Sequence, residues 1–145
     1  MNYMNMEIPA RSENESFVRV VVAAFVARID PTLEELNEVK TAVSEAVTNC
    51  IIHAYDNTEE GVIRISVVLE GKKLCMEIED RGKGIADIER AREPLYTEKP
   101  ELERAGMGFS IMENFMDELY VESEPGKGTR VKMIRSFGKN AWDNH

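Results

Sequence analysis

The sequence is poor in the residues that build metal and disulfide sites, with two cysteines and two histidines among its 145 residues. Cys50 and Cys75 show no CxxC spacing and fall inside helix-like and strand-like patterns, so we expect reduced thiols in the core. The longest apolar run, 20–27, is too short to cross a membrane, and the N-terminus lacks the basic-then-apolar order of a signal peptide. These absences predict a cytoplasmic protein without a disulfide framework.

Clustered positive charge is absent as well. The chain has 18 Lys and Arg against 27 Asp and Glu, a net charge of −9. No basic patch of the kind that binds phosphate backbones stands out, which argues against direct nucleic-acid binding. The length and the 43% hydrophobic content predict one domain, residues 1–145, around a single core.

Two capping-box signatures predict where the first helices begin. Ser12 with Glu15 opens a helix expected over Glu13 to Ile29, and Thr32 with Glu35 opens a second, longer one. Apolar residues follow at helical spacing in the second helix. This stripe, which should face a sheet, consists of Leu36, Val39, Val43, Val47, Cys50 and Ala54.

Strand patterns surround these helices. Residues 4–10 read as a short strand, and period-two alternation predicts hairpins over 62–80 and 118–134. A further helix is expected from Gly108 to about Met116. This order favours an α+β fold, a two-layer sandwich with helices on one face of a mixed, mostly antiparallel sheet.

The segment 85–105 breaks the periodicity. Charges of both signs are mixed with Pro94 and Pro100, and a stretch of this length exceeds ordinary loops. Long segments of this kind often act as lids over binding sites, and we expect that role here.

A carboxylate and a carboxamide share one side of the second predicted helix. At 100° per residue, Glu45 and Asn49 lie about 40° apart, and both point away from the apolar stripe. A solvated helix face would carry the same pair, so the spacing alone does not decide between a site and a surface.

Two glycine-containing segments add candidates for ligand binding. Asp80 ends a predicted strand and is followed by Gly82 and Gly84, which allow a sharp turn and close approach of a planar ligand. Ordinary turn chemistry explains the same residues. Gly106 and Gly108 precede a helix, whose free N–H groups and dipole attract anions.

These segments together resemble a known superfamily. EAVTN at 45–49, DRGKG at 80–84 and GMG at 106–108, with a long segment before the last, resemble the motifs of the GHKL superfamily of gyrase, histidine-kinase, chaperone and mismatch-repair type ATPases. That resemblance spans roughly residues 30 to 135. Along nearly the whole chain, stretches such as EPLYTEKPELERAGMGFSIMENFMDEL and SEPGKGT are similar to the anti-sigma factor serine kinases of endospore-forming bacteria.

The resemblance implies an ATP-binding kinase domain with its lid at about 85–105. The position of Asn49 ligates Mg²⁺, that of Glu45 is the general base, and Arg104 is a candidate to neutralise terminal-phosphate charge. Asp80 would read the adenine amine with support from Thr129. The remaining nucleotide contacts implied are Gly82, Gly84, Thr97, Lys99, Gly106, Met107 and Gly108.

The resemblance also implies partners: a sporulation sigma factor that the protein binds and inhibits, and an anti-anti-sigma factor whose serine it phosphorylates. A homodimer is implied too. Arg19 matches a partner-contacting arginine, although an edge residue reaching water would look the same. Histidine kinases carry their phosphoacceptor on a separate dimerisation helix, and the only histidines here are His53 and His145, which argues against such an acceptor. The alternative function is a nucleotide-gated sigma-factor-binding module with negligible catalysis.

Overall fold

The computed structural model describes residues 1–55, 61–82, 84, 88, 92 and 108–138. Within this part of the chain, helices form one layer and a five-stranded sheet forms the other. The predicted α+β sandwich is confirmed. Every strand pairing in the described sheet is antiparallel.

The sheet places the end of its third strand between two neighbours. The strand order is β1-β2-β3-β5-β4, so β3 pairs with β2 on one side and with β5 on the other. Alternating residues of β2 and β3 are buried against the helices, as the period of two requires. The strands are β1 Asn2–Pro9, β2 Val62–Glu70, β3 Lys73–Asp80, β4 Glu118–Glu124 and β5 Gly128–Ser136.

The helical layer is built on α2, which contacts both α1 and α3. From residue 38 to residue 55 no side chain is exposed, because this part of the chain is enclosed by the sheet and the neighbouring helices. The helices are α1 Glu13–Val26, α2 Leu33–Asn49 and α3 Gly108–Phe115. A 3₁₀ turn, Ala27–Ile29, follows α1, and a π-helical turn, Cys50–Ala54, follows α2.

One of the two predicted capping boxes forms. The Thr32 hydroxyl accepts from the Glu35 N–H at 3.1 Å, and the Glu35 carboxylate accepts from the Thr32 N–H at 2.8 Å. The box predicted at Ser12 is wrong, because the backbone of Ser12 is itself helical and its side chain makes no capping bond. Glu15 instead accepts a hydrogen bond from the Ser44 hydroxyl, which ties α1 to α2.

The face of the sheet opposite the helices carries a row of alternating charge. Register aligns Glu7, Arg64, Glu79, Arg130 and Glu122 across all five strands. Both ends of the row are ion pairs with N···O distances of 2.5 Å. Opposite charges on facing strands support the pairing, so this row helps to hold the register.

Only one of the two cysteines lies in the core. Cys50 is buried, whereas Cys75 is half-buried on the open face of β3, so its predicted core position is wrong. Both are free thiols. The alternation of β3 decides this, since Leu74 and Met76 on either side of Cys75 take the core face.

The predicted lid at 85–105 lies outside the described residues apart from Ile88 and Arg92. Arg92 forms an ion pair with Glu113 of α3 at 3.2 Å. No helix in the described part of the chain is long and apolar enough to span a membrane.

Candidate functional site

Asp80 is the centre of the site. It is the last residue of β3 and is only 6% exposed. Its Oδ1 atom accepts the Gly82 N–H at 2.9 Å and the Thr129 N–H at 3.2 Å. A buried carboxylate is costly unless it is hydrogen-bonded, and these backbone donors provide the compensation.

The electrostatics of Asp80 follow from this position. Burial raises the pKa of its carboxyl, and hydrogen bonds from the Gly82 N–H, the Cys50 thiol and the Thr129 N–H oppose that rise. The pKa of Cys50 is raised in turn, first by its burial and then by the nearby Asp80 charge. An ionised carboxylate offers about four acceptor positions, so these three bonds leave capacity for one further donor.

Three glycines allow other backbone segments to approach the turn after Asp80. A Cβ on Gly82 would lie 2.6 Å from the carbonyl carbon of Ala54, and one on Gly84 would lie 2.8 Å from that of Glu124. Gly128 combines a φ of +110° with a Cβ position 2.7 Å from the Arg81 Cα. Any side chain at these positions would push the surrounding backbone apart.

Thr129 is held beside Asp80 by the sheet. The two residues are register partners between β3 and β5. The Thr129 hydroxyl lies 2.7 Å from the Ser123 hydroxyl, which donates to the Gly128 carbonyl at 3.0 Å. The side chain predicted to support Asp80 is therefore oriented by the β4–β5 hairpin.

Glu45 and Asn49 lie one helical turn apart near the end of α2. Glu45 is only 7% exposed, so the alternative of a solvated helix face is wrong for this residue. Asn49 is half-buried and is the last residue of α2 before the π-helical turn. Because α2 packs between α1 and α3, a position off its apolar stripe is also buried.

The end of this helix meets the Asp80 turn. Ala54 closes the π-helical turn and lies directly against Gly82. The Tyr55 hydroxyl accepts the Arg81 N–H at 2.7 Å and donates to the Val62 carbonyl at 2.8 Å. A π-helical turn in a longer helix often marks a functional site.

Open grooves of about 480 and 310 Å³ flank the end of β3, and Glu79 and Asp80 line both. The first groove is also bordered by Tyr55 and Arg81, and the second by Ser123 and Thr129. Both grooves also reach the charged row on the open face of the sheet, through Arg64 in the first and Arg130 in the second.

The structure brings together only part of the predicted site. Asp80, Gly82, Gly84 and Thr129 converge on one turn, and Gly108 begins α3 as a buried residue. Five further predictions lie outside the described residues: Thr97, Lys99, Arg104, Gly106 and Met107. Among the described residues, no group of three or more His, Cys, Asp or Glu side chains forms a metal site.

Sequence reasoning missed three residues of this arrangement. The sequence patterns place Cys50 in the core stripe and Gly128 in a hairpin turn, and they give Tyr55 no role. Each contacts the Asp80 segment from an element distant in sequence. The PGKG stretch was the only available signal, since a glycine after a turn and before a strand often marks close backbone approach.

Arg19 lies away from this turn, on α1. Its guanidinium pairs with Glu15 at 3.6 Å and remains 41% exposed. Phe17 and Val20 beside it are 55% and 63% exposed. Large apolar side chains exposed next to an arginine have the composition that protein interfaces favour.

Fold and site define a nucleotide-binding domain of the GHKL type, and the family described as "Histidine kinase-like ATPase domain" matches residues 8–135. The chain is 59% identical over 139 residues to an anti-sigma F factor of Geobacillus kaustophilus, covering 96% of this chain and 95% of the relative. It is also 59% identical over 136 residues to an anti-sigma F factor of Clostridium botulinum, with 94% and 95% coverage. The chain belongs to the anti-sigma F factor family.

A solved structure supports the fold independently. The crystal structure of the RsbU and RsbW domains of Rv1364c from Mycobacterium tuberculosis matches with a TM-score of 0.71 at 17% identity. The match covers 97% of this chain and 34% of that chain. Two chains with only 17% sequence identity therefore share this fold.

Proposed function

We propose that this protein is an ATP- and Mg²⁺-dependent protein-serine kinase that phosphorylates an anti-anti-sigma factor and binds and inhibits a sporulation sigma factor. The observation that carries the proposal is the placement of a buried carboxylate, Glu45, one turn before Asn49 on a helix whose continuation packs on the Asp80 turn. Family membership supports the anti-sigma part.

Adenine recognition rests on Asp80. Its carboxylate is buried, is oriented by two backbone N–H groups, and retains acceptor capacity for an exocyclic amine. A site that satisfies a substrate amine in this way rejects an analogue lacking it, because the buried acceptor is then unpaired. Thr129, fixed by its neighbour Ser123, would contribute a second polar contact.

The proposed metal contact fits the residues present. Asn49 is half-buried at the end of α2 and would contribute its side-chain oxygen, while phosphate and water oxygens would complete the shell. Mg²⁺ would supply neutralisation of phosphate charge during transfer. The predicted phosphate contacts at 106–108 would act through backbone N–H groups at the start of α3.

Glu45 has the position expected of a general base. Its burial near the end of α2 places a carboxylate where water is limited, which favours orientation of an acceptor hydroxyl and removal of its proton. The incoming serine would approach from the side of the bound phosphates.

Partner binding is assigned to α1. Arg19, with the exposed Phe17 and Val20, presents a charged group amid apolar area. Arginine and large apolar residues dominate the binding energy of many interfaces. We assign this surface to the sigma factor and its antagonist, and we propose a homodimer as the assembled form.

The direct test is phosphotransfer. The purified protein is incubated with γ-labelled ATP, Mg²⁺ and a candidate anti-anti-sigma factor, and labelled serine is sought in the product. Label on serine is the expected result. ATP binding and sigma-factor binding without any label would instead support the nucleotide-gated binding module.

A further inference from the structure

The Tyr55 hydroxyl joins two strands at the point where their pairing ends. The β2–β3 ladder stops at the pair Ile63 and Asp80, so Val62 and Arg81 would form the next pair. The hydroxyl bridges these two residues, accepting the Arg81 N–H at 2.7 Å and donating to the Val62 carbonyl at 2.8 Å. Both distances are those of well-formed hydrogen bonds.

We infer that the Tyr55 hydroxyl is a positioning group for the adenine-reading carboxylate of Asp80. The inference rests on the proposed function and adds to it a residue that sets nucleotide selectivity. Tyr55 does not touch the ligand in this proposal. It acts by fixing the backbone of Arg81, the residue between Asp80 and Gly82.

The path from Tyr55 to the carboxylate is short. Gly82 donates its N–H to the Asp80 Oδ1, so any shift of the Arg81 peptide moves the donor that orients the carboxylate. Hydrogen bonds weaken steeply when their angles change, and a recognition group must be held to within about 0.5 Å. The Tyr55 hydroxyl therefore controls the orientation of the Asp80 carboxylate.

The same residue links this turn to the proposed catalytic helix. Tyr55 follows the π-helical turn that continues α2 beyond Asn49, and Ala54 before it packs on Gly82. The Tyr55 ring lies against Gly61, where a Cβ would overlap it. Ring and hydroxyl thus hold the helix end, the start of β2 and the exit from β3 in one arrangement.

Removal of the Tyr55 hydroxyl leaves the Arg81 N–H and the Val62 carbonyl without their shared hydrogen-bond partner. In a Tyr55→Phe variant the ring is kept, and Arg81 and Val62 either bond directly, extending the ladder, or bond to water. Both outcomes change the direction in which the chain leaves Asp80. Discrimination for the exocyclic amine should fall even when the protein is fully folded.

The experiment compares ATP with inosine triphosphate, in which a carbonyl oxygen replaces the amine. Calorimetric titration of the unmodified protein should show a preference for ATP of about tenfold or more. Tyr55→Phe should reduce that ratio by about fivefold. Tyr120→Phe is the matched control, since its exposed hydroxyl donates to Glu118 at 2.6 Å and it should leave the ratio within about twofold.

The results distinguish failure of the positioning role of Tyr55 from failure of the proposed function. An unchanged ratio in Tyr55→Phe, with the unmodified protein preferring ATP, overturns the positioning role and leaves the proposed function standing. Failure of the unmodified protein to bind ATP overturns the proposed function itself. A loss of stability without a change in the ratio marks Tyr55 as purely structural and also overturns the inference.

A second measurement covers the case in which Tyr55→Phe does not fold. Hydrogen exchange of the Arg81 amide is followed in the unmodified protein with saturating ATP and with saturating inosine triphosphate. Slower exchange with ATP is expected, because the amine contact tightens the turn that the hydroxyl holds. Equal exchange rates would overturn the inference.

Discussion

Asp80 and Thr129 are register partners on adjacent strands, and the Thr129 N–H donates to the buried Asp80 Oδ1 at 3.2 Å. The contact makes a cross-strand pair part of the proposed adenine site. It also explains how a buried carboxylate is retained at a strand end, since the strand neighbour and Gly82 both supply donors. The proposed adenine contact and the pairing of β3 with β5 therefore depend on the same carboxylate.

Asp80→Asn should weaken ATP binding without lowering the free energy of unfolding near neutral pH. Burial raises the pKa of the Asp80 carboxyl, so its contribution favours the folded state below the unfolded-state pKa and is lost as pH rises through the folded pKa. The free energy of unfolding of the unmodified chain should fall relative to Asp80→Asn from the ordinary carboxyl range toward neutral pH. Urea denaturation at several pH values measures this difference.

Parallel stability curves for the two proteins would contradict that assignment. At neutral pH, the same substitution should weaken ATP binding by at least about tenfold, because the charged acceptor for the amine is lost. A variant as stable as the parent but poor in nucleotide binding is the signature of a site residue held at a cost in stability.

Gly128→Ala should be strongly destabilising. At its φ of +110° a Cβ would meet the backbone of Asp80 and Arg81, so strain and overlap together should cost about 3 kcal/mol or more. Gly126→Ala is the matched control, with a φ of +80° but no atom within 4 Å, and should cost about 1 kcal/mol. Denaturant unfolding measures both.

Similar losses for the two glycine variants would show that backbone conformation alone matters at this hairpin. The close packing of β5 on the Asp80 turn would then contribute little to the free energy of unfolding.

Glu45→Gln should leave nucleotide binding largely intact and slow phosphotransfer by roughly 10²-fold or more, because the amide cannot take a proton from the serine hydroxyl. Transfer is measured with γ-labelled ATP, and binding by calorimetry on the same preparation. Glu34→Gln, an exposed change in the first turn of α2, serves as the control. Undiminished transfer by Glu45→Gln would refute the role of general base.

Arg19→Ala should weaken binding of the sigma factor and of its antagonist by about tenfold while leaving ATP affinity unchanged, since Arg19 lies on α1 away from the Asp80 turn. Arg28→Ala is the control. That arginine follows the same helix and lies 5.7 Å from the centre of the Phe25 ring. Equal effects of the two substitutions would assign the loss to overall charge rather than to a specific contact.

Local sequence patterns predicted much of the architecture. Alternation predicted the strands of both hairpins, and the Thr32–Glu35 box predicted the start of α2, because each depends on residues close together in the chain. Ser12 and Glu15 have the same spacing as Thr32 and Glu35, but they do not form a capping box. There, Glu15 accepts a bond from Ser44, a residue 29 positions away, which no local rule anticipates.

Residue types and their spacing are enough to predict the helices, the strands and the chemical groups present: a carboxylate at a strand end, glycines after it, and a Glu and an Asn one helical turn apart. Long-range packing, in contrast, buries Glu45, leaves Cys75 outside the core and places the Tyr55 hydroxyl between Arg81 and Val62. The reason is physical. Periodicity depends on neighbours within a turn or a pleat, whereas burial and bridging contacts depend on which distant segments pack together.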